Sequence, residues 1–547
     1  PFLGENLFTT KGEPREAIVA VSMLQQGNWI LPVSFGADIP YKPPMLAWCV
    51  AALGWLNGGV VTEFLSRLPS ALAAVVMLVC CFRLYARRTS LNLAAMMTLI
   101  TATSVEVFRS STICRVDMLL TMFVVTAMFA YFRQWEKHPE GTWRPSVVAA
   151  LLMTGGVLTK GPVGMLLPSM VIWVFRLMRG NRFWPTTFSV GIAALMSLAV
   201  PLLWYYAAWL QGGDEFLRLA MEENFGRFTG TMSYESHENG VWYNFVSQAW
   251  GFAPYSLLLL LSLFVLPWKS VSWRSAAKGW WKRVRQMDPI ELFSLLAAVL
   301  VFVFYCIPKS KRSVYLLPVY PFMAYFTALY VRWLARGGKW CVKAYCWTIC
   351  VVGFLAAVAV WLLAGGMIPV SGNAALECIS GEMGTYAYRL WPAVLWFLVI
   401  GAALLLAKRL LSGRADDCFG RTVVYTMFLY WLVQATVLPA AMNYKSEKPI
   451  AGEISRIAGH DTEVYSFKGQ RLARFYTVNY YLDDKVRLFD GCRADEGYVI
   501  VNRRDEDLFR ESAGDYSLEE LRLPVQRGIK ERNRIVLYRF RKNQVNS

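Results

Sequence analysis

Long apolar runs separated by short polar connections fill the chain from about residue 45 to residue 441, and a polar stretch lies on either side of them. A helix needs about 20 mainly apolar residues to cross about 30 Å of hydrocarbon. By that measure spans are predicted at about 64 to 86, 91 to 109, 116 to 134, 146 to 159, 161 to 178, 186 to 210, 245 to 267, 290 to 307, 315 to 334, 344 to 364, 388 to 408 and 422 to 441, the fourth of them short. The run from Met45 to Asn57 is too short to cross and is assigned to the membrane surface. Ahead of it, Lys11 to Pro44 is polar and carries Glu13, Arg15, Glu16 and Lys42, ionisable groups that are costly at a membrane unless they are used. The stretch from Glu16 to Leu24 has the pattern of an amphipathic helix, with Pro14 near its start.

Charge then orients the spans. Basic clusters occupy alternate connections, at Arg87/Arg88, Arg133 to Arg144, Arg176 to Arg182, Lys269 to Arg285, Arg332 to Lys343 and Lys408 to Arg421, which marks these loops as cytoplasmic. The loop at 211 to 244 has the opposite character, with Asp214, Glu215, Glu222, Glu223, Glu235 and Glu238 against two arginines. An even span count places the opening loop, this acidic loop and the C-terminus on the outer side, and implies one further span ahead of Pro1. After Ala441 the chain turns polar, and EVYSF, KVRLFD, GYVIV and NRIVLYRF alternate as strands do. With a helix at about Lys448 to Ala458, residues 443–547 form a soluble α/β domain on the outer side, after a membrane domain at 1–442 whose first outer loop is 1–63. The fold class is mainly α, a polytopic transmembrane helical bundle with outer juxtamembrane helices.

Composition agrees: 56% hydrophobic, 15% aromatic and 17% charged residues are those of a membrane protein. The net charge of +18 lies in short clusters between apolar runs, the pattern of cytoplasmic loops, which argues against nucleic acid. Most of the 11 cysteines lie in apolar runs as small hydrophobes; Cys378 and Cys492 alone are placed to pair in an oxidising compartment. No Walker loop, GxGxxG or HExxH motif occurs, which removes nucleotide-driven pumps and membrane zinc proteases.

Outer loops should be poor in Lys and Arg, yet Arg109 and Arg115 flank Asp117, Lys160 lies between two spans, and Lys309, Lys311 and Arg312 sit in IPKSKRSVYLLP. Any one of these is explained by a side chain snorkelling to the interface. Together, beside Glu13 and Asp117, they fit an anionic, phosphate-bearing membrane substrate.

The ordered succession GEPREA, IPYKPPMLAW, FLSRLPSAL, RVDMLLT, LTKGPVG, SHENGVWYNF and SKRSVYLLPVYPFMA resembles the lipid A aminoarabinose transferases and their relatives, the protein O-mannosyltransferases. These are multi-span C-type glycosyltransferases, and the resemblance covers essentially the whole membrane part. It implies transfer of a sugar, an amino-pentose or a hexose, from a polyprenyl phosphate-linked donor to a lipid A-like or protein acceptor. The place would be the periplasmic face of a bacterial inner membrane, with inversion at the anomeric carbon. Carried over by position, Glu13 and Asp117 match the catalytic acids, while Arg15, Lys42, Arg115, Lys160, His237, Lys309, Lys311 and Arg312 match substrate-binding positions. The family commonly has an Asp-Glu pair in the first loop, and Gly12 stands here in the place of the Asp. Two carboxylates and a histidine could ligate a divalent cation, and no other cofactor is implied.

Cleaving a sugar–phosphate bond builds positive charge on the sugar and negative charge on the phosphate, so carboxylates are needed at the first and cations at the second. A hydroxyl acceptor would need a carboxylate as base, whereas an ionised phosphate would not. The alternative class is a transporter or flippase of lipid-linked saccharide. That class usually shows internal repeats and polar groups at the midplane on broken helices. No repeat appears, and Arg83 and Glu106 lie near span ends.

Overall fold

The computed structural model describes residues 2–9, 12–226, 238–266, 268, 280–370, 372–412, 415–459, 462–467, 475–489, 494–524, 526–527 and 529–543. All twelve apolar runs fold as helices. Ahead of them, α1 (Gly12–Gln26) and α2 (Met45–Leu56) lie side by side. The first spans are α3 (Glu63–Ala86), the pair α4 (Leu91–Thr103) and α5 (Val105–Ser111), α6 (Val116–Lys137), α7 (Val147–Lys160) and α8 (Val163–Met178). They are followed by α9 (Phe183–Met196), α10 (Ala199–Met221), α11 (Trp242–Gly251) and α12 (Tyr255–Ser262). Further on come a short basic helix α13 (Trp280–Arg285), α14 (Pro289–Cys306), a 3-10 turn Ser313–Val319 leading into α15 (Tyr320–Arg336), and α16 (Trp340–Ala364). The membrane part closes with α17 (Ala374–Ala387), α18 (Leu390–Ser412), α19 (Ala415–Ala435) and α20 (Val437–Asn443). Among the described residues, eight helices are long and apolar enough to cross, or ten if each bent pair counts as one span. The others of the twelve are α7 and α8, whose 14 and 16 residues reach about 21 Å and about 24 Å at about 1.5 Å per residue. Gly156 and Gly164 let this hairpin close: a Cβ on Gly164 would fall 2.2 Å from the Gly156 carbonyl carbon.

Hydrogen bonds bring the alternate connections to one end. Lys160 pairs with Asp117, Cys114 N donates to Glu13, Asn28 to Gln211 and Leu7 N to Asn443. The basic connections meet at the other end, where Arg88 pairs with Glu136, Asn181 reaches the Pro139 carbonyl and Arg179 the Met287 carbonyl. The alternation of charge along the sequence is thus a real separation in space.

Two spans are broken, which the sequence pattern does not show. The α4/α5 pair bends by 68° and the α11/α12 pair by 107°. The breaks satisfy one another: the Val105 amide freed at the first donates to the Ala253 carbonyl at the second, 3.0 Å away. Glu106, expected near a span end, is buried just past the first break, paired with Arg109 at 2.6 Å and accepting from Ser313 Oγ at 3.3 Å.

The C-terminal residues build a five-stranded mixed sheet in the order β2-β1-β3-β5-β4, from β1 (Val464–Ser466), β2 (Val486–Leu488), β3 (Glu496–Asn502), β4 (Tyr516–Leu521) and β5 (Ile535–Lys542). β1 is parallel to β2 and β3, and β5 is antiparallel to β3 and β4. Period-two alternation sends Ile500 to one face and Val499 and Val501 to the other. α21 (Lys448–Ala458), where the sequence places a helix, covers the first face with Ile450 and Ile454, and α22 (Tyr476–Tyr481) packs beside it.

Candidate active site

The site lies where α1, the loop before α2, the N-terminal ends of α3 and α6 and the C-terminal end of α7 meet. α1 buries Ala17, Ile18, Val21 and Met23 and presents its charged first turn to the neighbouring helices. There Glu13 meets Arg67 on α3: Nε donates to Oε1 at 2.8 Å and Nη2 to Oε2 at 3.1 Å, while Cys114 N donates to Oε1 at 2.9 Å. Arg67 is 2% exposed, and its Nη1 donates to the carbonyls of Leu3 (2.7 Å) and Asn6 (2.6 Å). Glu13 therefore has both oxygens engaged.

One turn along, Glu16 accepts from Arg15 at 3.2 Å and from Lys42. Burial works against the Glu16 charge, but Lys42 and Arg15 outweigh it and hold the carboxyl below its ordinary value. Burial also pushes the Lys42 ammonium down to about 8, against the pull of Glu16. The neighbouring Tyr41 is pushed up to about 12, again mainly by burial.

Asp117, in the first turn of α6, is buried and paired with Lys160 from the end of α7. The Lys160 ammonium also lies 4.1 Å from the centroid of the Tyr315 ring, which the 3-10 turn after the SKR loop brings in. Lys42 and Arg115 are near enough to act on the Asp117 charge, so the two ion pairs form one network. Arg115 lies over Gly12: a Cβ there would fall 2.2 Å from Nη2, so the guanidinium occupies the room that a side chain at position 12 would need.

The structure thus joins Glu13, Arg15, Lys42, Arg115, Asp117 and Lys160. It treats the remaining predicted residues differently. Lys311 is buried with its ammonium on the Pro308 carbonyl, and Lys309 is exposed, its carbonyl accepting from Asn239 N at 3.3 Å. Neither hydrogen-bonds to the network among the described residues; Arg312, beside them, precedes the turn that delivers Tyr315. His237 and Cys492 lie outside the described residues. No group of three His, Cys, Asp or Glu side chains that could hold a metal occurs among the described residues, and each clustered carboxylate already has a cation, so no step is routed through a divalent ion.

Sequence reasoning overlooked Arg67, Glu16 as a partner of Lys42, and Glu223, whose charge acts on Lys42 and Tyr41. A signal for Arg67 was present: it is a basic residue inside the apolar run at about 64 to 86, five positions into the helix that begins at Glu63 and within the RLPSAL segment.

Residues 41–205 match the family model described as dolichyl-phosphate-mannose-protein mannosyltransferase. An undecaprenyl phosphate-alpha-4-amino-4-deoxy-L-arabinose arabinosyl transferase of Edwardsiella ictaluri is 26% identical over 387 residues, covering 69% of this chain and 66% of the relative. The protein of that name from Serratia proteamaculans is 27% identical over 339 residues, 60% of this chain and 56% of its own length. An uncharacterised protein of Aquifex aeolicus is 27% identical over 371 residues, 67% of this chain and 68% of its own. The matched region therefore spans between about half and two thirds of these relatives. Crystal structures of ArnT from Cupriavidus metallidurans, bound to undecaprenyl phosphate and in the apo state, superpose with TM-scores of 0.69 and 0.68 at 18% identity, covering 98% of this chain and 95% of theirs. The fold is that of multi-span C-type membrane proteins with a C-terminal sheet domain. The chain is therefore similar in sequence, over part of its length, to membrane glycosyltransferases of the aminoarabinose transferase and protein mannosyltransferase kind, and shares the fold of the ArnT structures.

Proposed function

We propose that this protein transfers a sugar from undecaprenyl phosphate to an anionic lipid acceptor, in the manner of lipid A modification, at the periplasmic face of a bacterial inner membrane. The relatives' names and the charge sidedness support this setting. The observation that carries the chemistry is the pairing in the network: Glu13, Glu16 and Asp117 each hold a cation, and Arg115 stands beside them without a hydrogen-bonded carboxylate among the described residues. A hydroxyl acceptor, as on a protein, would require one of these carboxylates as base. An ionised phosphate acceptor requires none.

Lys42 and Arg115 hold the donor phosphate by charge-assisted hydrogen bonds and stabilise the negative charge it gains as the anomeric C–O bond breaks. The acceptor oxyanion attacks the anomeric carbon from the opposite face, so the configuration inverts and the products are the glycosylated acceptor and undecaprenyl phosphate. Asp117, paired with Lys160, faces the positive charge that develops on the sugar ring. Glu13 does not act on substrate; it fixes α1 to α3. The first loop, the acidic loop and the sheet domain lie on the outer side.

Purified protein incubated with a labelled undecaprenyl phosphate sugar, as amino-pentose or hexose, and a phosphorylated lipid should release undecaprenyl phosphate and label the lipid. The two broken helices favour one second reading, a flippase of the same donor. That reading predicts movement of intact donor across a vesicle with no free undecaprenyl phosphate formed.

A further inference from the structure

Phe35 belongs to the first loop of the membrane part, yet it is 1% exposed and sits in the core of the sheet domain, against Ile450, Val464, Val478 and Ile500. Its backbone is left-handed, with φ +55°, a conformation that a bulky residue adopts only when its surroundings impose it. The exchange is reciprocal. Asp484, from the turn after α22 and itself at φ +56°, is 3% exposed and reaches into the first loop. Its Oδ2 accepts from Ser22 Oγ on α1 at 2.7 Å, and its Oδ1 from the Phe35 amide at 3.0 Å and from Asn479 at 2.7 Å. Beside this clasp, Gln25 donates to the Asp483 carbonyl at 2.7 Å and Tyr476 to Asp38 at 3.3 Å.

The clasp bears on the active site through both partners of one ion pair. Lys42 follows Phe35 in the loop that Tyr476 also holds, and Glu16 lies on the helix whose Ser22 is bound by Asp484. We infer that the C-terminal sheet domain is a positioning element of the transferase: through Phe35 and Asp484 it sets where Lys42 and Glu16 stand, and hence how the donor phosphate is held. Phe35 and Asp484 are positioning residues, since neither touches the network itself. This rests on the assignment of Lys42 to the donor phosphate.

The test uses the full chain in detergent, with donor affinity, kcat and hydrogen exchange of the 34–44 peptide measured on Asp484→Ala, Asp484→Asn, Phe35→Ala and Lys42→Ala. Asp484→Ala and Phe35→Ala should bind an undecaprenyl phosphate sugar at least fivefold more weakly and exchange faster at 34–44, with exchange in α6 unchanged. Asp484→Asn keeps an oxygen for the Phe35 amide and should recover donor binding to within twofold, a rescue that a general loss of packing would not give. Normal donor affinity in both Asp484→Ala and Phe35→Ala overturns the inference. If Lys42→Ala itself binds donor normally, the donor reading fails instead, and the clasp is then judged by exchange alone: unchanged exchange at 34–44 overturns it.

Discussion

Glu13 and Asp117 look alike in sequence, two acids in the first turns of helices, but the structure gives them different surroundings. Glu13 receives a two-pronged Arg67 and a backbone amide, and that arginine's remaining nitrogen is spent on two carbonyls. Asp117 has a single lysine, which in turn rests on the Tyr315 ring. A carboxylate whose acceptor sites are filled by a buried guanidinium is a strut, because freeing it would strand a buried charge. A carboxylate shared with one flexible lysine can change partners when a phosphate arrives. On the proposed function, Glu13 holds the site in shape and Asp117 meets substrate.

The largest effect expected from this distinction is on stability. Arg67→Ala removes the buried guanidinium from the partly buried Glu13 and from two carbonyls and should destabilise the protein by about 3–5 kcal/mol, the range for breaking a buried pair. A thermal unfolding series on purified variants reads it directly, with Arg541→Ala as the control because that side chain and its partner Glu496 are both exposed. Equal losses in the two variants would remove the strut assignment.

The next effect is on turnover. Asp117→Asn should lower kcat by about a hundredfold, as expected for losing one preorganised electrostatic group, with donor affinity and melting temperature nearly kept. Glu13→Gln should show the reverse pattern, a lower melting temperature with kcat per folded molecule changed less. Steady-state kinetics beside thermal shifts on both variants distinguish them, and identical profiles would break the comparison.

These roles were only partly legible in the sequence, for physical reasons. Apolar length is set by the bilayer, so every run of spanning length became a helix, and strict alternation identified four strands. β4 escaped because YSLEEL leaves half of its side chains exposed and none buried on an outermost strand, where no buried face enforces a pattern. The breaks at Ser104 and after Gly251 escaped because their amide and carbonyl satisfy each other across the fold, which no local signal records. Glu13 and Lys42 stood out as charges beside a membrane, but which carboxylate was locked depended on Arg67, 54 positions away. Phe35 read as one more loop aromatic; only the folded sheet domain shows what it plugs.

A smaller effect concerns pH. An ordinary lysine stays charged to about pH 10.4, whereas burial brings Lys42 down to about 8. Only the ammonium binds phosphate, so donor affinity should be constant below pH 7.5 and fall as pH rises through about 8, approaching tenfold per unit for one proton. The same lowered value means that the unfolded chain holds this proton more tightly, so the Lys42 contribution to stability rises across that window while donor binding falls. Lys42→Arg should abolish the decline in affinity up to pH 9.5. A decline that survives in Lys42→Arg would assign it to another group.

The smallest expected effect tests Gly12, where the family commonly has an acid. Arg115 occupies the room that a side chain at position 12 would need, with Nη2 2.2 Å from where a Cβ would fall. The obstructing atom is the tip of a flexible side chain, so Gly12→Ala should displace the guanidinium rather than disturb α1, and the melting temperature should hardly change. The cost should fall on substrate. A three- to tenfold rise in KM is expected, about 0.7–1.4 kcal/mol, below the range of about 1.5–3 kcal/mol for a whole hydrogen bond to a charged group, because the guanidinium is displaced and not removed. Gly12→Asp should cost more, because it displaces Arg115 and also offers it a carboxylate to pair with, which competes with the phosphate. If Arg115→Ala raises KM while Gly12→Ala and Gly12→Asp leave it unchanged, Arg115 binds substrate from another position and Gly12 is a spacer. If all three leave KM unchanged, Lys42 holds the phosphate without Arg115, and the network has one fewer working cation than its geometry implies.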